Sequence, residues 1–255
     1  LPQLLSPCVD EAKYTLYDYA SIIEKGSVAE DVERPVWRDR AHTLVGTALE
    51  GFSIEEWEDA PTDEASRFVY EINGKAGKYL YKTLDFSRAL TGFIQLEVTA
   101  KNAGNVYVIF DELLWEECGN GKNHIGFERN TTSNVLKWQF ENPGRYNVST
   151  FEPYACRYVK IVYTPGVEVE IRVLSFENPN ADRLRFSCAD KRAEKIMESA
   201  RATFAQNAVD LLTDCPSRER AGWLSDSWFS SVAERLFTGM NQAERAFLEN
   251  YEKQF

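Results

Sequence analysis

The sequence predicts a chain in two parts, an antiparallel β-sandwich followed by a helical domain. Three observations carry that prediction. Between about residue 67 and residue 176, apolar and polar residues alternate with period two. Turn residues separate the runs: Gly74, Gly104, Asn142-Pro143-Gly144 and Pro165-Gly166. After Glu177-Asn178-Pro179-Asn180 the period lengthens to that of a helix. The expected division is therefore 1–178 and 179–255, and 255 residues suffice for both parts.

Residues 1–66 carry little pattern. Glu24-Lys25-Gly26, Glu30-Asp31-Val32-Glu33 and Pro35 punctuate them, and Glu55-Glu56-Trp57-Glu58-Asp59-Ala60-Pro61 reads as a solvated loop. Ile94-Gln95-Leu96-Glu97-Val98 is one half-buried strand, apolar on one face and polar on the other. Val106-Tyr107-Val108-Ile109-Phe110 is apolar throughout, as a central strand would be. The cleanest alternation is Val167 to Val173. Short strands at this spacing build a sandwich.

In the second part, Asp190 to about Ala208 places Ile196, Ala200, Thr203 and Phe204 on one helix face. Pro216 and Gly222 then interrupt the helical pattern. A second helix runs from about Asp226 to Phe237. Its Phe229, Val232, Ala233, Leu236 and Phe237 have the spacing of one apolar face, and Gly239 stands just past its end, where a left-handed residue is wanted. Asn241 with Glu244 has capping-pair spacing for a third helix that runs to Phe255. Apolar helix faces need partners, so the chain reads as stopping inside a helical domain.

Composition narrows the function. Aromatic residues make up 13% of the chain, which marks a folded protein. The net charge of −11, with no Lys/Arg-rich block, argues against nucleic acid and anionic membranes as partners and is compatible with neutral sugars. No run of about eighteen apolar residues occurs. Leu1-Pro2-Gln3-Leu4-Leu5 is not a complete signal peptide, which leaves location open, an exported one being favoured over the cytoplasm. Cys8, Cys118, Cys156, Cys188 and Cys215 show no CxxC spacing and read as free, buried thiols, with one or two disulfides as the alternative. The two histidines, His42 and His124, lie far from the acidic cluster described next, which argues against a Ser/His triad or a histidine zinc site there. Nothing calls for a metal, nucleotide or redox cofactor.

The richest stretch is Thr213 to Ser225 with Asp226. It packs Asp214, Glu219 and Asp226 together with Arg218, Arg220 and Trp223. Carboxylates do acid and base work on a glycosidic bond, arginines hold hydroxyls or orient carboxylates, and an indole face packs against a sugar ring. Each residue also has a plain reading. Asp214 could serve a turn, Asp226 could favour the positive end of a helix, and Glu219 could pair with a neighbouring arginine. Capping, however, needs neither Trp223 nor Gly222, so the set is expected to converge on one concavity with Trp223 on its wall. A general acid must stay protonated near neutral pH. Arg218 and Arg220 would oppose that if they faced Glu219, so a catalytic Glu219 requires them engaged elsewhere. Glu112 and Glu152 read as ordinary loop or strand-end residues. Asn130-Thr131-Thr132 and Asn147-Val148-Ser149 match the glycosylation pattern, a common chance match.

The run Asp214-Cys215-Pro216-Ser217-Arg218-Glu219-Arg220-Ala221-Gly222-Trp223-Leu224-Ser225-Asp226 resembles the signature of bacterial α-L-rhamnosidases, the six-hairpin glycosidases of family 78. Arg185 to Asp190 and Asp210 to Asp214 are similar to that family's entry into its helical barrel. Leu84-Asp85-Phe86, Thr91-Gly92-Phe93, Phe151-Glu152-Pro153 and Arg157-Tyr158-Val159 are similar to its preceding β-domain. The resemblance implies a β-sandwich followed by the start of an (α/α)6 barrel, and inverting release of terminal α-L-rhamnose. It implies Glu219 as the general acid, with Asp214, Arg218, Trp223 and Asp226 lining the sugar subsite. It puts the general base, a later Glu, beyond residue 255, so these residues alone are expected to be inactive. Ser217, Ala221, Ser225 and Ser227-Trp228-Phe229 depart from the usual signature, which leaves fucose, other 6-deoxy sugars or a modified rhamnose open. The alternative is a carbohydrate-binding or catalytically inactive relative.

Overall fold

The structure is a computed structural model that describes residues 13–17, 20–27, 79–116, 123–125, 128–129, 132–217 and 220–253. Its strands are β1 (Leu16–Tyr17), β2 (Ser21–Ser27), β3 (Leu80–Ala100), β4 (Gly104–Asp111), β5 (Trp115–Glu116), β6 (Asn123–His124), β7 (Glu128–Arg129), β8 (Thr132–Ser133), β9 (Val135–Phe140), β10 (Gly144–Ser149), β11 (Tyr154–Tyr163) and β12 (Val167–Ser175). A 3-10 turn over Pro179–Asp182 leads to α1 (Lys191–Asn207), α2 (Leu224–Thr238) and α3 (Gln242–Glu252). No helix among the described residues is long and apolar enough to cross a membrane.

The long strand β3 organises the sheet. Its first half pairs with β2 and β11, its second with β12 and β10, all antiparallel. Both halves send side chains into one buried cluster, among them Leu84, Phe86, Ile94, Leu96 and Val98, which meets Val106, Val108 and Phe110 of β4. The expected sandwich is thus one sheet folded about its longest strand, a half-barrel, rather than two separate sheets. Val106–Phe110 lies between β11 and β9 and is buried at every residue, as its unbroken apolar run requires. β12 alternates buried Val167, Val169, Ile171 and Val173 with outward Glu168 and Glu170.

Two local devices shape β3. Tyr154 of β11 and Ser175 of β12 both pair with Gly92, where the partners change over. A Cβ at Gly92 would lie 2.3 Å from the Leu174 carbonyl oxygen, so only glycine permits this approach. Nearby, Cys156 faces Leu90 but Tyr158 faces Asp85, so β3 carries the extra residues of a bulge. Ser87 sits there at φ 65°, its N–H donating to Asp85 Oδ1 at 2.7 Å. Arg157 grips both Asp85 oxygens, at 2.9 and 3.1 Å. Those Arg157 hydrogen bonds outweigh partial burial and hold the Asp85 carboxyl below its ordinary range.

The break at Asn178-Pro179 does more than end a strand. Asn178 caps the 3-10 turn, its N–H donates to Ala205 O at 2.7 Å, and its side-chain amide donates to Ala208 O at 2.6 Å. The linker is thereby tied to the end of α1. Asp190 caps α1, and Gly239 ends α2 at φ 70° as expected.

Which helix faces are buried differs from expectation. On α1, Phe204 is buried, but Ile196, Ala200 and Thr203 face solvent; Ala205 and Ala208 join Phe204 in the core instead. On α2 the predicted apolar stripe is split: Phe229, at 70% exposed, Val232 and Leu236 face outward, while Phe237 is buried in the core beside Ser227, Ser231, Glu234 and Thr238, with Ala233 packed against it. The inner groups are satisfied. Ser231 Oγ donates to Trp228 O at 2.8 Å and Thr238 Oγ1 to Glu234 O at 2.7 Å. Glu234 caps α3, accepting the N–H groups of Ala243 and Glu244 at 2.7 and 2.9 Å. The Asn241–Glu244 box therefore does not form: Asn241 makes no side-chain cap bond, and Glu244 pairs with Arg235.

Cys156, Cys188 and Cys215 are free, but only Cys156 is buried, since the other two stand at the edges of loops. Burial, helped by Glu112, pushes the Cys156 thiol up to about 12. Cys8, Cys118 and His42 lie outside the described residues.

Asp85→Asn tests the bulge. A folded-state pKa below the unfolded value means that the carboxylate stabilises above its unfolded pKa and that this is lost as pH falls through the folded pKa. The variant should be less stable by about 1 kcal/mol at neutral pH, a figure discounted for a part-exposed pair. In urea titrations the gap to wild type should close on acidification; a gap that persists unchanged in acid would contradict the assignment.

Candidate active site

The segment from Thr213 to Asp226 leaves the core beside α1 and returns as α2. Asn207, the last residue of α1, clasps its start: the side-chain amide donates to Thr213 O at 2.8 Å, and Thr213 Oγ1 donates to Asn207 Oδ1 at 2.6 Å. Leu212 then enters the helical core.

Asp214 closes the loop on itself. Its N–H donates to Ala221 O at 3.0 Å, and its Oδ1 accepts the Ala221 N–H at 2.8 Å. Cys215 Sγ donates to Oδ2 at 3.2 Å. Partial burial pushes the carboxyl up, but the Ala221, Cys215 and neighbouring backbone donors together outweigh it and hold Asp214 below its ordinary range. The two ends of the turn therefore face each other, with Pro216 and Ser217 on the way out. Arg218 and Glu219 lie outside the described residues.

The chain resumes at Arg220, which has φ 52°, a left-handed conformation costly for a non-glycine residue. Its side chain reaches the β half. The guanidinium lies 2.9 Å from the Glu152 carboxylate, donates to Pro153 O at 3.2 Å, and sits 5.0 Å from the Tyr154 ring centroid. Tyr154 packs in turn on Phe110, with centroids 4.9 Å apart. Of the two arginines neighbouring Glu219 in the chain, Arg220 is engaged by Glu152. Glu152, read from sequence as an ordinary loop residue, is thus part of the arrangement. Its signal in the sequence was the resemblance of Phe151-Glu152-Pro153 to the family's β-domain.

Gly222 is fixed by α3. A Cβ there would lie 2.6 Å from Phe247 Cε2, and the Tyr251 hydroxyl donates to Gly222 O at 2.5 Å. Its need for glycine is steric. Trp223 follows at the N-cap position of α2 in extended conformation and is 54% exposed. Asp226 stands exposed in the first turn of α2, accepting from Ser225 Oγ at 2.9 Å. Trp223 and Asp226 are thus open to solvent beside the turn, while Asp214 holds it closed. The arrangement offers a turn closed by Asp214, followed along the chain by an exposed indole at Trp223 and an exposed carboxylate at Asp226.

Comparison with known proteins agrees with the signature. Residues 182–254 match the family model described as the bacterial alpha-L-rhamnosidase 6 hairpin glycosidase domain. An alpha-L-rhamnosidase of Formosa agariphila is 25% identical over 163 residues, covering 61% of this chain and 16% of that protein. A family 78 rhamnosidase of Bacillus sp. GL1 superposes with a TM-score of 0.56 at 20% identity, covering 68% of this chain and 18% of the other. The alpha-L-rhamnosidase of Dictyoglumus thermophilum gives 0.58 at 22%, covering 68% and 20%. The fold is shared with these structures, and the relationship to α-L-rhamnosidases rests on both halves. The chain spans about a sixth of the length of the curated relative, 16%.

Gly222→Ala should cost about 1–3 kcal/mol, because the new methyl meets a buried ring. Phe247→Leu should be destabilising alone yet recover part of the loss when combined with it. Thermal unfolding of the single and double variants decides; strict additivity would remove Phe247 as the constraint on Gly222.

Proposed function

We propose that this chain belongs to the catalytic machinery of an inverting glycoside hydrolase that releases terminal α-L-rhamnose. Residues 1–178 form its β part and 179–255 the start of an (α/α)6 barrel. The single observation that carries the reading is that the segment matching the rhamnosidase signature is built as a fastened loop, tied by its own backbone, by α3 and by the β half. Loops that carry chemistry are held in this way by a rigid scaffold. The exposed Phe229, Val232 and Leu236 of α2 support the barrel, since they offer a surface on which further helices would pack.

In this reading Glu219 is the general acid. It donates its proton to the glycosidic oxygen as the bond to the anomeric carbon breaks. A second carboxylate takes a proton from a water that attacks the anomeric carbon from the opposite face, which inverts it. That base is assigned, by resemblance, to a later barrel residue; the two carboxyls of an inverting pair stand about 6.5–9.5 Å apart. Trp223 offers its ring to the apolar face of the sugar, and Asp226 and Arg218 take hydroxyls. Asp214 contributes the shape of the loop, and its remaining lone pairs can still accept a sugar hydroxyl.

The test uses the complete native protein. Glu219→Gln should cut turnover on an unactivated α-L-rhamnoside by about 10²–10⁴-fold with sugar binding largely kept. On an aryl rhamnoside with an acidic phenol the loss should be smaller, because that leaving group needs less protonation. Asp226→Asn should instead weaken binding, with little dependence on the leaving group. Equal losses for Glu219→Gln across good and poor leaving groups would take Glu219 out of the acid role.

A further inference from the structure

We infer that Arg220 is a positioning residue through which the β half sets the geometry of the acid-bearing turn. The inference rests on the assignment of Glu219 as the acid and adds to it a residue and a partner surface. Four observations carry it. Arg220 directly follows Glu219 in the chain. It is held at φ 52°, a strain that persists only where the surroundings over-determine it. Its side chain reaches the β half, at Glu152, Pro153 O and the face of Tyr154. On its other side, Ala221 is locked to Asp214 through two backbone-directed hydrogen bonds.

The contact surface is itself well placed. The 150–153 connection joins β10, which pairs with the second half of β3, to β11, which pairs with the first. Thr150 fixes it. Its Oγ1 accepts the Ile94 N–H at 3.1 Å and donates to Glu152 O at 2.8 Å. Tyr154 pairs with Gly92 at the changeover of β3. Arg220 therefore docks on a connection that is tied to β3 at both ends. An exposed ion pair such as Arg220–Glu152 adds little to stability, its carboxylate being 59% exposed. Its use is directional: the guanidinium is kept on the β half, which holds the chain in place at the residue that follows the candidate acid. A misplacement of about 1 Å at a reacting group costs on the order of 10²-fold in rate.

The experiment measures kcat and KM on an unactivated α-L-rhamnoside, with melting temperature, for the complete native protein and its variants. Arg220→Ala should lower kcat by about 10–100-fold, with KM within about threefold and the melting temperature little changed. Arg220→Lys, which keeps a cation for Glu152 and Tyr154, should recover part of kcat. Glu152→Gln, which leaves the Pro153 and Tyr154 contacts, should give a smaller loss of the same kind. In the Glu219→Gln background, Arg220→Ala should cause no further loss, since it acts through the acid. If Arg220→Ala does not fold, Arg220→Gly, which accepts a positive φ without strain, takes its place with the same expectations. Normal kcat in Arg220→Ala or Arg220→Gly beside a crippled Glu219→Gln overturns this inference alone. A full extra loss in the Glu219→Gln background also overturns it. Full activity of Glu219→Gln removes the acid assignment and this inference with it.

Discussion

The steric constraint at Gly92 is the point from which the rest of the arrangement follows. A single strand can serve two halves of a sheet only if its backbone comes close to its neighbours where the partners change. Here the Leu174 carbonyl occupies the space a Cβ would need. β11 and β12 meet at this residue, so the connection that enters β11, residues 150–153, is anchored beside it. That connection holds Arg220, and Arg220 holds one end of the loop that bears the candidate acid. The chain of causes runs from a missing methyl group in a strand to the aim of a loop in the helical part.

Much of the architecture is legible in the sequence because burial imposes periods. The alternation of Val167–Val173 and the unbroken apolar run of Val106–Phe110 each correspond to a strand with the expected exposure. The change of period at Asn178-Pro179 marks the passage to helices, and Gly239 marks a helix end. What the pattern does not disclose is continuity. β3 runs unbroken from Leu80 to Ala100, through Ser87-Arg88-Ala89 and Gly92, where the alternation read at Ile94–Val98 gives no sign of a longer strand. A bulge pinned by Asp85 and Arg157 lets the strand pass through them, and both partners of that pin are distant in sequence.

The helices illustrate a different limit. Periodicity reveals that α2 has an apolar face but not which of its faces finds a partner among these residues. In the structure Phe229, Val232 and Leu236 lie outside, while Phe237 is inside with Ser227, Ser231 and Glu234. Glu234 replaces the capping box that Asn241 and Glu244 suggest, because a carboxylate from a neighbouring helix reaches the free N–H groups first. At the candidate site, the residue types of Asp214, Trp223 and Asp226 point to sugar chemistry, and the turn that Asp214 closes leads into the start of α2, where the other two stand. The roles of Asp214 and Arg220 in fastening it could not be read from spacing. One depends on a turn closing on itself, and the other on contact between halves of the chain.

The central claim is that this fastened loop presents Glu219 to the glycosidic oxygen of a bound rhamnoside. The most direct measurement is a crystal structure of the complete native protein, carrying Glu219→Gln, with an uncleaved α-L-rhamnoside bound. The account predicts the residue 219 amide about 2.6–3.2 Å from the glycosidic oxygen, the Trp223 ring against the sugar, and Arg220 still on Pro153 and Glu152. A sugar bound with residue 219 out of reach of that oxygen would contradict it.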